Sequence, residues 1–148
     1  MKKVLFVCLG NICRSPLAEG IARDYIASRG YEIIVDSAGT SGYHIDETPH
    51  HYSILVAKKF GIDISMLRGS KVSVYMNFDF FVAMDSENVR DLIALGVDRD
   101  KIVKIGDYGL DGRDIPDPYY KGLDGFFEAF ELLDISVKKF LDLISEEK

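Results

Sequence analysis

The chain has 148 residues, of which 47% are hydrophobic. This length suits one domain that buries about two-thirds of the surface of its unfolded chain, and the formal net charge of -6 argues against general binding to nucleic acid or to anionic membranes. Only two cysteines are present, and no stretch has the length of a signal-peptide core or a membrane span, so the sequence predicts a cytoplasmic protein rather than a secreted disulfide scaffold.

The first residues predict a strand followed by a helix. Residues 4–7 are all apolar and show no polar alternation, as in a strand that is buried on both faces. Cys8 then falls at the carboxyl end of this strand. Ser15 is a good helix N-cap and Pro16 is preorganised for the first helical position, so we expect a helix over residues 16–29.

Strands and helices continue to alternate along the rest of the chain. The predicted strands cover residues 31–35, 78–84 and 102–105, the predicted helices cover residues 48–61, 85–95 and 126–144, and the predicted loops cover residues 36–42, 62–77 and 106–121. A short helix within residues 62–77 is an alternative to a continuous loop. This alternation predicts an α/β fold, with a single-domain four-stranded parallel sheet and helices on both of its faces.

The segment between the first strand and the first helix has the features of a phosphate-binding loop. A loop that closes on a helix N-terminus points unpaired N–H groups into one concavity, and the helix dipole adds positive charge there. Cys8 would ionise readily in such a cup, and the planar fork of Arg14 suits two phosphate oxygens. Gly10 and Asn11 tolerate the positive φ that a tight loop needs. The alternative is an ordinary buried cysteine beside a solvated arginine.

The loop over residues 106–121 offers a second group for phosphate chemistry. In a parallel sheet, ligands bind beyond the carboxyl ends of the strands, and this loop follows the fourth strand to that edge. A phosphate ester is cleaved more easily when the departing oxygen is protonated, and the carboxyl of Asp117 is held between Pro116 and Pro118. The rivals for this role in the same loop are Asp107, Asp111 and Asp114.

Two motifs resemble the low-molecular-weight protein tyrosine phosphatases. The first matches that family almost letter for letter over the run Cys8-Leu9-Gly10-Asn11-Ile12-Cys13-Arg14-Ser15-Pro16. The second is Asp-Pro-Tyr-Tyr at residues 117–120, and the resemblance continues through residues 35–43 and 82–85. It implies one phosphatase domain over residues 1–148 that needs no cofactor, acts on phosphotyrosine-containing proteins or small aryl phosphates, and releases inorganic phosphate.

The resemblance also assigns roles to individual residues. Cys8 would be the nucleophile of a thiophosphoryl-enzyme intermediate, Arg14 and the loop amides would hold the phosphoryl oxygens, and Asp117 would act as general acid and then as general base. The residues expected to bind substrate or phosphate are Leu9, Gly10, Asn11, Ile12, Cys13, Ser15, Tyr43 and Tyr119, with Ser37 and Tyr120 in support.

A bracing network around the nucleophile is implied as well. Ser15 would donate a hydrogen bond to the Cys8 thiolate, while Asn11 and Ser37 would hold the loop in shape. Many members of the family carry a further bracing histidine in a His-x-Ala-Arg-like run, and residues 65–70 have no histidine here. The remaining part of the bracing must therefore differ in this chain.

Other functions are weighed on single features of the sequence. Relatives that hydrolyse phosphoarginine carry threonine where this chain has Ile12, so the apolar side chain favours phosphotyrosine over a protein-arginine phosphatase. An arsenate-reductase-like thiol oxidoreductase would need cysteines after Cys13, and the sequence has none there. A module that only binds phosphopeptides would need no leaving-group acid such as Asp117.

Cys13 has two interpretations and no metal site is expected. Cys13 is either a small buried residue at the end of the loop or, by resemblance, the partner of a reversible disulfide that shields the nucleophile. The histidines, at positions 44, 50 and 51, show no recognised ligand spacing with the two cysteines.

Overall fold

Four parallel strands form the central sheet. The computed structural model describes residues 1–146. The strands are β1 (Lys2–Cys8), β2 (Ile33–Gly39), β3 (Phe80–Ala83) and β4 (Ile102–Lys104). They lie in the order β2-β1-β3-β4, and every neighbouring pair is parallel. The predicted four-stranded parallel sheet is confirmed, with β1 at its centre.

Helices cover both faces of this sheet, as predicted. They are α1 (Arg14–Arg29), α2 (His51–Lys59), α3 (Ser86–Leu95) and α4 (Gly122–Ser145), with single 3-10 turns at Arg99–Lys101 and Ile105–Asp107. Alternate residues of β1 point to opposite faces: Phe6 packs into the larger core with α1 and α4, whereas Leu5 and Val7 pack into a smaller core with Leu92 of α3. Both faces of β1 are therefore buried.

The starts of α1 and α2 differ from the prediction. Helix α1 begins at Arg14, with Cys13 in the N-cap position and no side-chain cap, because the hydroxyl of Ser15 is directed to Cys8 instead. Helix α2 begins at His51 rather than near residue 48. Its N-cap is His50, whose ring nitrogen Nδ1 accepts a hydrogen bond from the backbone N–H of Tyr52 at 3.1 Å.

Other boundaries moved because of contacts between distant segments. Strand β2 runs on to Gly39, past its predicted end at residue 35, because Asp36 to Gly39 continue the pairing with β1. Residues 62–77 contain turns and one isolated bridge, between Lys71 and Gly39, but no helix. Strand β3 is shorter than the predicted 78–84, and α4 begins at Gly122, four residues before the predicted apolar stripe.

Candidate active site

The loop after β1 folds into a cup around the sulfur of Cys8. The backbone N–H of Asn11 donates to Cys8 Sγ at 3.3 Å, and Ser15 Oγ lies 3.0 Å from the same sulfur. Asn11 has φ 57°, the left-handed conformation that asparagine tolerates better than most residues. The loop also passes close to Gly39 of β2, where a Cβ atom would stand 2.8 Å from the carbonyl oxygen of Leu9. These contacts leave the sulfur buried at the floor of the cup.

The direction of the hydrogen bonds around Asn11 and Ser15 points two donors at Cys8 Sγ. The backbone N–H of Ser70 donates to Asn11 Oδ1 at 3.0 Å, which fixes the orientation of that amide. Asn11 Nδ2 then donates to Ser15 Oγ at 2.7 Å and to Ser37 Oγ at 3.0 Å. Because Ser15 Oγ accepts from Asn11, its own proton is free to point at Cys8 Sγ, which then receives this hydroxyl in addition to the backbone N–H of Asn11.

Two residues that the sequence analysis missed complete this bracing without a histidine. Ser37 Oγ donates to Glu19 Oε1 at 2.7 Å, and Glu19, which is only 2% exposed, also accepts from Arg23 Nε at 2.7 Å. On the other side, Ser70 Oγ donates to the carbonyl of Ser37 at 3.2 Å, in addition to its backbone bond with Asn11. The spacing of Glu19 four residues after Ser15 puts both side chains on one face of α1, and this was the available signal.

Arg14 closes the cup and is fixed on its far side. Its Nη1 donates to Asp85 Oδ2 at 2.6 Å and to the carbonyl of Ile115 at 2.8 Å, and the residue is 2% exposed. Burial disfavours the charge, but the Cys8 thiolate and the hydrogen-bonded Asp85 outweigh it and raise the pKa of Arg14. The guanidinium therefore stays cationic and keeps one orientation. Asp85, the N-cap of α3, was not assigned this role from the sequence.

Asp117 lies opposite the cup, at the edge of the same cavity. Its Oδ2 is 3.8 Å from Arg14 Nη2, and its Oδ1 accepts from the backbone N–H of Tyr119 at 3.1 Å. The side chain is 47% exposed, so its carboxyl faces both solvent and the cavity. Of the four aspartates in the loop, Asp117 is the one that lines this cavity.

The cavity above the cup has a volume of ≈ 310 Å³ and an aromatic rim. It brings together most of the predicted residues, namely Cys8, Leu9, Gly10, Ile12, Cys13, Arg14, Tyr43, Asp117, Tyr119 and Tyr120. Asn11, Ser15 and Ser37 are buried beneath the cup instead of lining the cavity. Ser41 and His44 also line it and were not predicted. They belong to the loop that carries Tyr43 to this edge of the sheet, which was the signal available for them.

The second cysteine of the site, Cys13, is held in its unreactive thiol form. Cys13 is a buried free thiol, as is Cys8. Burial, followed by the negative charges of Cys8 and Asp117, raises the pKa of Cys13 despite the opposing effect of Arg14. Cys13 is therefore held as a neutral thiol beside the cup.

Neither metal ligands nor a membrane span can be assigned within residues 1–146. No three or more His, Cys, Asp or Glu side chains in this part of the chain converge as metal ligands would. None of its helices is both long enough and apolar enough to cross a bilayer.

A parallel α/β sheet whose central strand ends in a cysteine at the floor of a loop that leads into a helix is typical of small cysteine-dependent phosphatases. The family model for low molecular weight phosphotyrosine protein phosphatases matches residues 3–148. The chain is 40% identical to YfkJ of Bacillus subtilis, a low molecular weight protein-tyrosine-phosphatase, over 100% of this chain and 99% of that protein. It is also 40% identical to a Schizosaccharomyces pombe phosphotyrosine protein phosphatase of this kind, over 97% of each chain.

Solved structures give the same result. The crystal structure of YfkJ superposes with a TM-score of 0.93 over 100% of this chain and 97% of that one. The structure of DARP, a Drosophila arginine phosphatase, is 31% identical and superposes with a TM-score of 0.88 over 100% of both chains. The protein belongs to the low molecular weight phosphotyrosine protein phosphatase family. The predictions of this family and of its fold class are confirmed.

Proposed function

We propose that the protein is a cytoplasmic phosphotyrosine protein phosphatase that works through a phosphocysteine intermediate, with residues 1–148 acting as one domain. The observation that carries this proposal is the pairing of Arg14 and Asp117, 3.8 Å apart, on the wall of the cavity that Cys8 also lines. A phosphoryl group bound in the cup would have a nucleophile below it, a fixed cation beside it and a carboxyl above it. Those are the groups that hydrolysis of a phosphate monoester needs.

In the first step the Cys8 thiolate attacks phosphorus and the bond from phosphorus to the ester oxygen breaks. The backbone N–H groups of the cup and the guanidinium of Arg14 stabilise the charge on the equatorial oxygens. Asp117 gives its proton to the departing phenolate oxygen, so that a neutral phenol leaves and an aspartate anion remains. The phosphoryl group is then carried on sulfur.

In the second step water attacks this phosphoryl group. Asp117 takes a proton from the water, the S–P bond breaks, and inorganic phosphate is released. Cys8 departs as a thiolate. Its sulfur is stabilised by Ser15 Oγ, at 3.0 Å, and by the backbone N–H of Asn11, at 3.3 Å. Both catalytic groups are then back in their starting protonation states.

The rim of the cavity favours an aryl substrate. Tyr43 and Tyr120 are 82% and 94% exposed, and with Tyr119 they provide aromatic surface for a phenyl ring. Ile12 adds an apolar contact at the base of this wall. A protein-arginine phosphatase is the second candidate, because the similar Drosophila structure is named an arginine phosphatase.

The decisive experiment compares turnover of p-nitrophenyl phosphate by the wild type with three variants. We expect Cys8→Ser to be inactive, because the hydroxyl is a far weaker nucleophile. Asp117→Asn should lose about a hundredfold or more in kcat/KM, the usual contribution of a general acid. The matched control is Asp111→Asn in the same loop, which should keep wild-type activity.

Two outcomes would contradict the proposal. Turnover by Cys8→Ser at the wild-type rate would contradict the assignment of Cys8 as the nucleophile. Equal losses in Asp117→Asn and Asp111→Asn would contradict the assignment of Asp117 as the acid. Phosphotyrosine and phosphoarginine peptides of one sequence, given to the wild type, then decide between the two substrate classes. Faster release of phosphate from the phosphotyrosine peptide is the expected result.

A further inference from the structure

The loop that carries Asp117 is tied to the body of the protein through a second aspartate. Asp114 Oδ1 accepts three hydrogen bonds: from Lys104 Nζ at 2.9 Å, and from the backbone N–H and the hydroxyl of Ser86, each at 3.2 Å. Lys104 ends β4 and Ser86 begins α3. One carboxylate oxygen thus joins the loop to a strand and to a helix.

The helix end that receives Asp114 is the same one that holds Arg14. Asp85, the N-cap of α3, accepts from Arg14, and the next residue, Ser86, donates to Asp114. Between these two contacts the backbone of Ile115 makes a third: its carbonyl accepts from Arg14 at 2.8 Å. Arg14 and the loop that carries Asp117 are therefore both bound to the start of α3.

The chain between Asp114 and Asp117 is short and has few free backbone torsions. It contains Ile115, whose N–H donates to the carbonyl of Met84 at 2.9 Å, and Pro116, whose ring fixes φ. The loop continues into Pro118, which restricts the conformation of Asp117 from the other side. A shift of Asp114 is accordingly passed on to the carboxyl three residues later.

We propose that Asp114 is a positioning residue for Asp117: by fixing the loop to Ser86 and Lys104, it sets the distance between the acid and the leaving-group oxygen. This inference rests on the proposed function. The three donors hold Asp114 as a carboxylate, and the hydrogen bond from Lys104 is the main reason that the pKa of Asp114 is lowered.

The same loop has a second tie, which serves as a matched control. Arg113 Nη2 contacts Glu128 Oε1 of α4 at 2.9 Å, and both side chains are about half exposed. Arg113 lies next to Asp114 in sequence, and its ion pair holds the same loop to a different helix, α4. If any tether of the loop sufficed, removing Arg113 would have the same effect as removing Asp114.

The test measures kcat/KM for phenyl phosphate and for 2,4-dinitrophenyl phosphate, since kcat/KM reports cleavage of the ester bond. A dinitrophenolate leaves without a proton, whereas phenolate depends on the acid. In Asp114→Ala we expect phenyl phosphate turnover to fall by about tenfold and dinitrophenyl phosphate turnover by less than about twofold, because a displaced acid fails only where a proton is needed. Arg113→Gln should leave the ratio of the two unchanged.

Lys104→Met, which removes one donor of the three, should change the ratio in the same direction by a smaller factor, and it serves if Asp114→Ala folds poorly. Equal losses on both substrates in these variants, or a ratio that Arg113→Gln also changes, would overturn the inference. Failure of the proposed function gives a different result: the wild type would hydrolyse neither ester. If the wild type is active and Asp117→Asn is selectively impaired on phenyl phosphate, but Asp114→Ala is not, only the positioning role is lost.

Discussion

Single buried side chains hold the nucleophile in place, and Glu19, which is as deeply buried as Arg14, is one of them. Its two carboxylate oxygens accept from Ser37 and Arg23, which belong to a strand and to its own helix. Ser37 in turn accepts from Asn11, whose amide also reaches Ser15 beside the sulfur. A buried carboxylate with two good donors is stable, but each donor depends on it.

Glu19→Ala is expected to lower the free energy of unfolding by about 2–3 kcal/mol, because the Ser37 hydroxyl loses its acceptor and a void opens between α1 and β2. Urea denaturation measures this change. Asp24→Ala, an exposed acidic residue on the same helix, is the control and should alter stability by less than about 0.5 kcal/mol. A loss in Glu19→Ala no larger than that of the control would show that the buried carboxylate contributes nothing.

At the scale of elements, the start of α2 connects the cup to the aromatic rim. The backbone N–H of His50 donates to the carbonyl of Ile12 at 2.7 Å, so this helix end supports the loop directly. The ring of His50 packs on His51, Phe126 and Tyr119, with its centroid 5.9 Å from that of Tyr119. Burial and the neighbouring His51 lower the pKa of His50 from its ordinary value of 6.5.

The lowered pKa of His50 predicts that the stability of the protein depends on pH. Its Nδ1 accepts from Tyr52 only when that nitrogen is unprotonated, so the folded protein binds a proton there less readily than the unfolded chain. The free energy of unfolding should therefore fall as the pH drops below 6.5, through the window between the ordinary and the lowered pKa. His50→Asn keeps an N-cap acceptor but does not titrate, so thermal unfolding from pH 7 to pH 5 should give a shallower slope. An unchanged slope would contradict this.

The elements that the sequence predicted well are those built from neighbouring residues. The residues that form the cup lie within the run 8–16, and the apolar run of β1 and the N-cap Asp85 of α3 were evident locally. The bracing of the cup could not be predicted in this way. Ser70 binds Asn11 although the two are 59 residues apart in sequence, and no pattern in the sequence marks such a contact. The cap of α1 was assigned to Ser15 because local preference cannot show that a hydroxyl is already used by a distant sulfur.

On the scale of the whole molecule, the site is assembled only at the carboxyl edge of the sheet. The cup follows the interior strand β1. The loop of Asp117 follows β4 at one side of the sheet, and the loop of Tyr43 follows β2 at the other side. A bound oxyanion would touch groups from several of these segments at once. Binding therefore couples to the stability of the fold.

Inorganic phosphate, the expected product, should raise the thermal midpoint of unfolding. At ten times its dissociation constant the stabilisation is about 1.4 kcal/mol, which corresponds to about 3–6 °C for a chain of this size. Differential scanning calorimetry with chloride at equal ionic strength as the reference measures it. Arg14→Lys has no planar fork, so its shift should be less than half as large, and an equal shift in both proteins would argue against binding in the cup.

The nucleophile and the acid are anchored to parts of the chain with unequal local stability. Cys8 continues a strand paired on both sides, whose residues Val4 to Val7 are at most 1% exposed, whereas Asp117 sits on a solvent-facing segment beyond the edge strand β4. We expect partial opening to release the outer segment before the central strand gives way. Under mild denaturing stress the molecule will thus continue to capture an oxyanion after it has ceased to cleave esters.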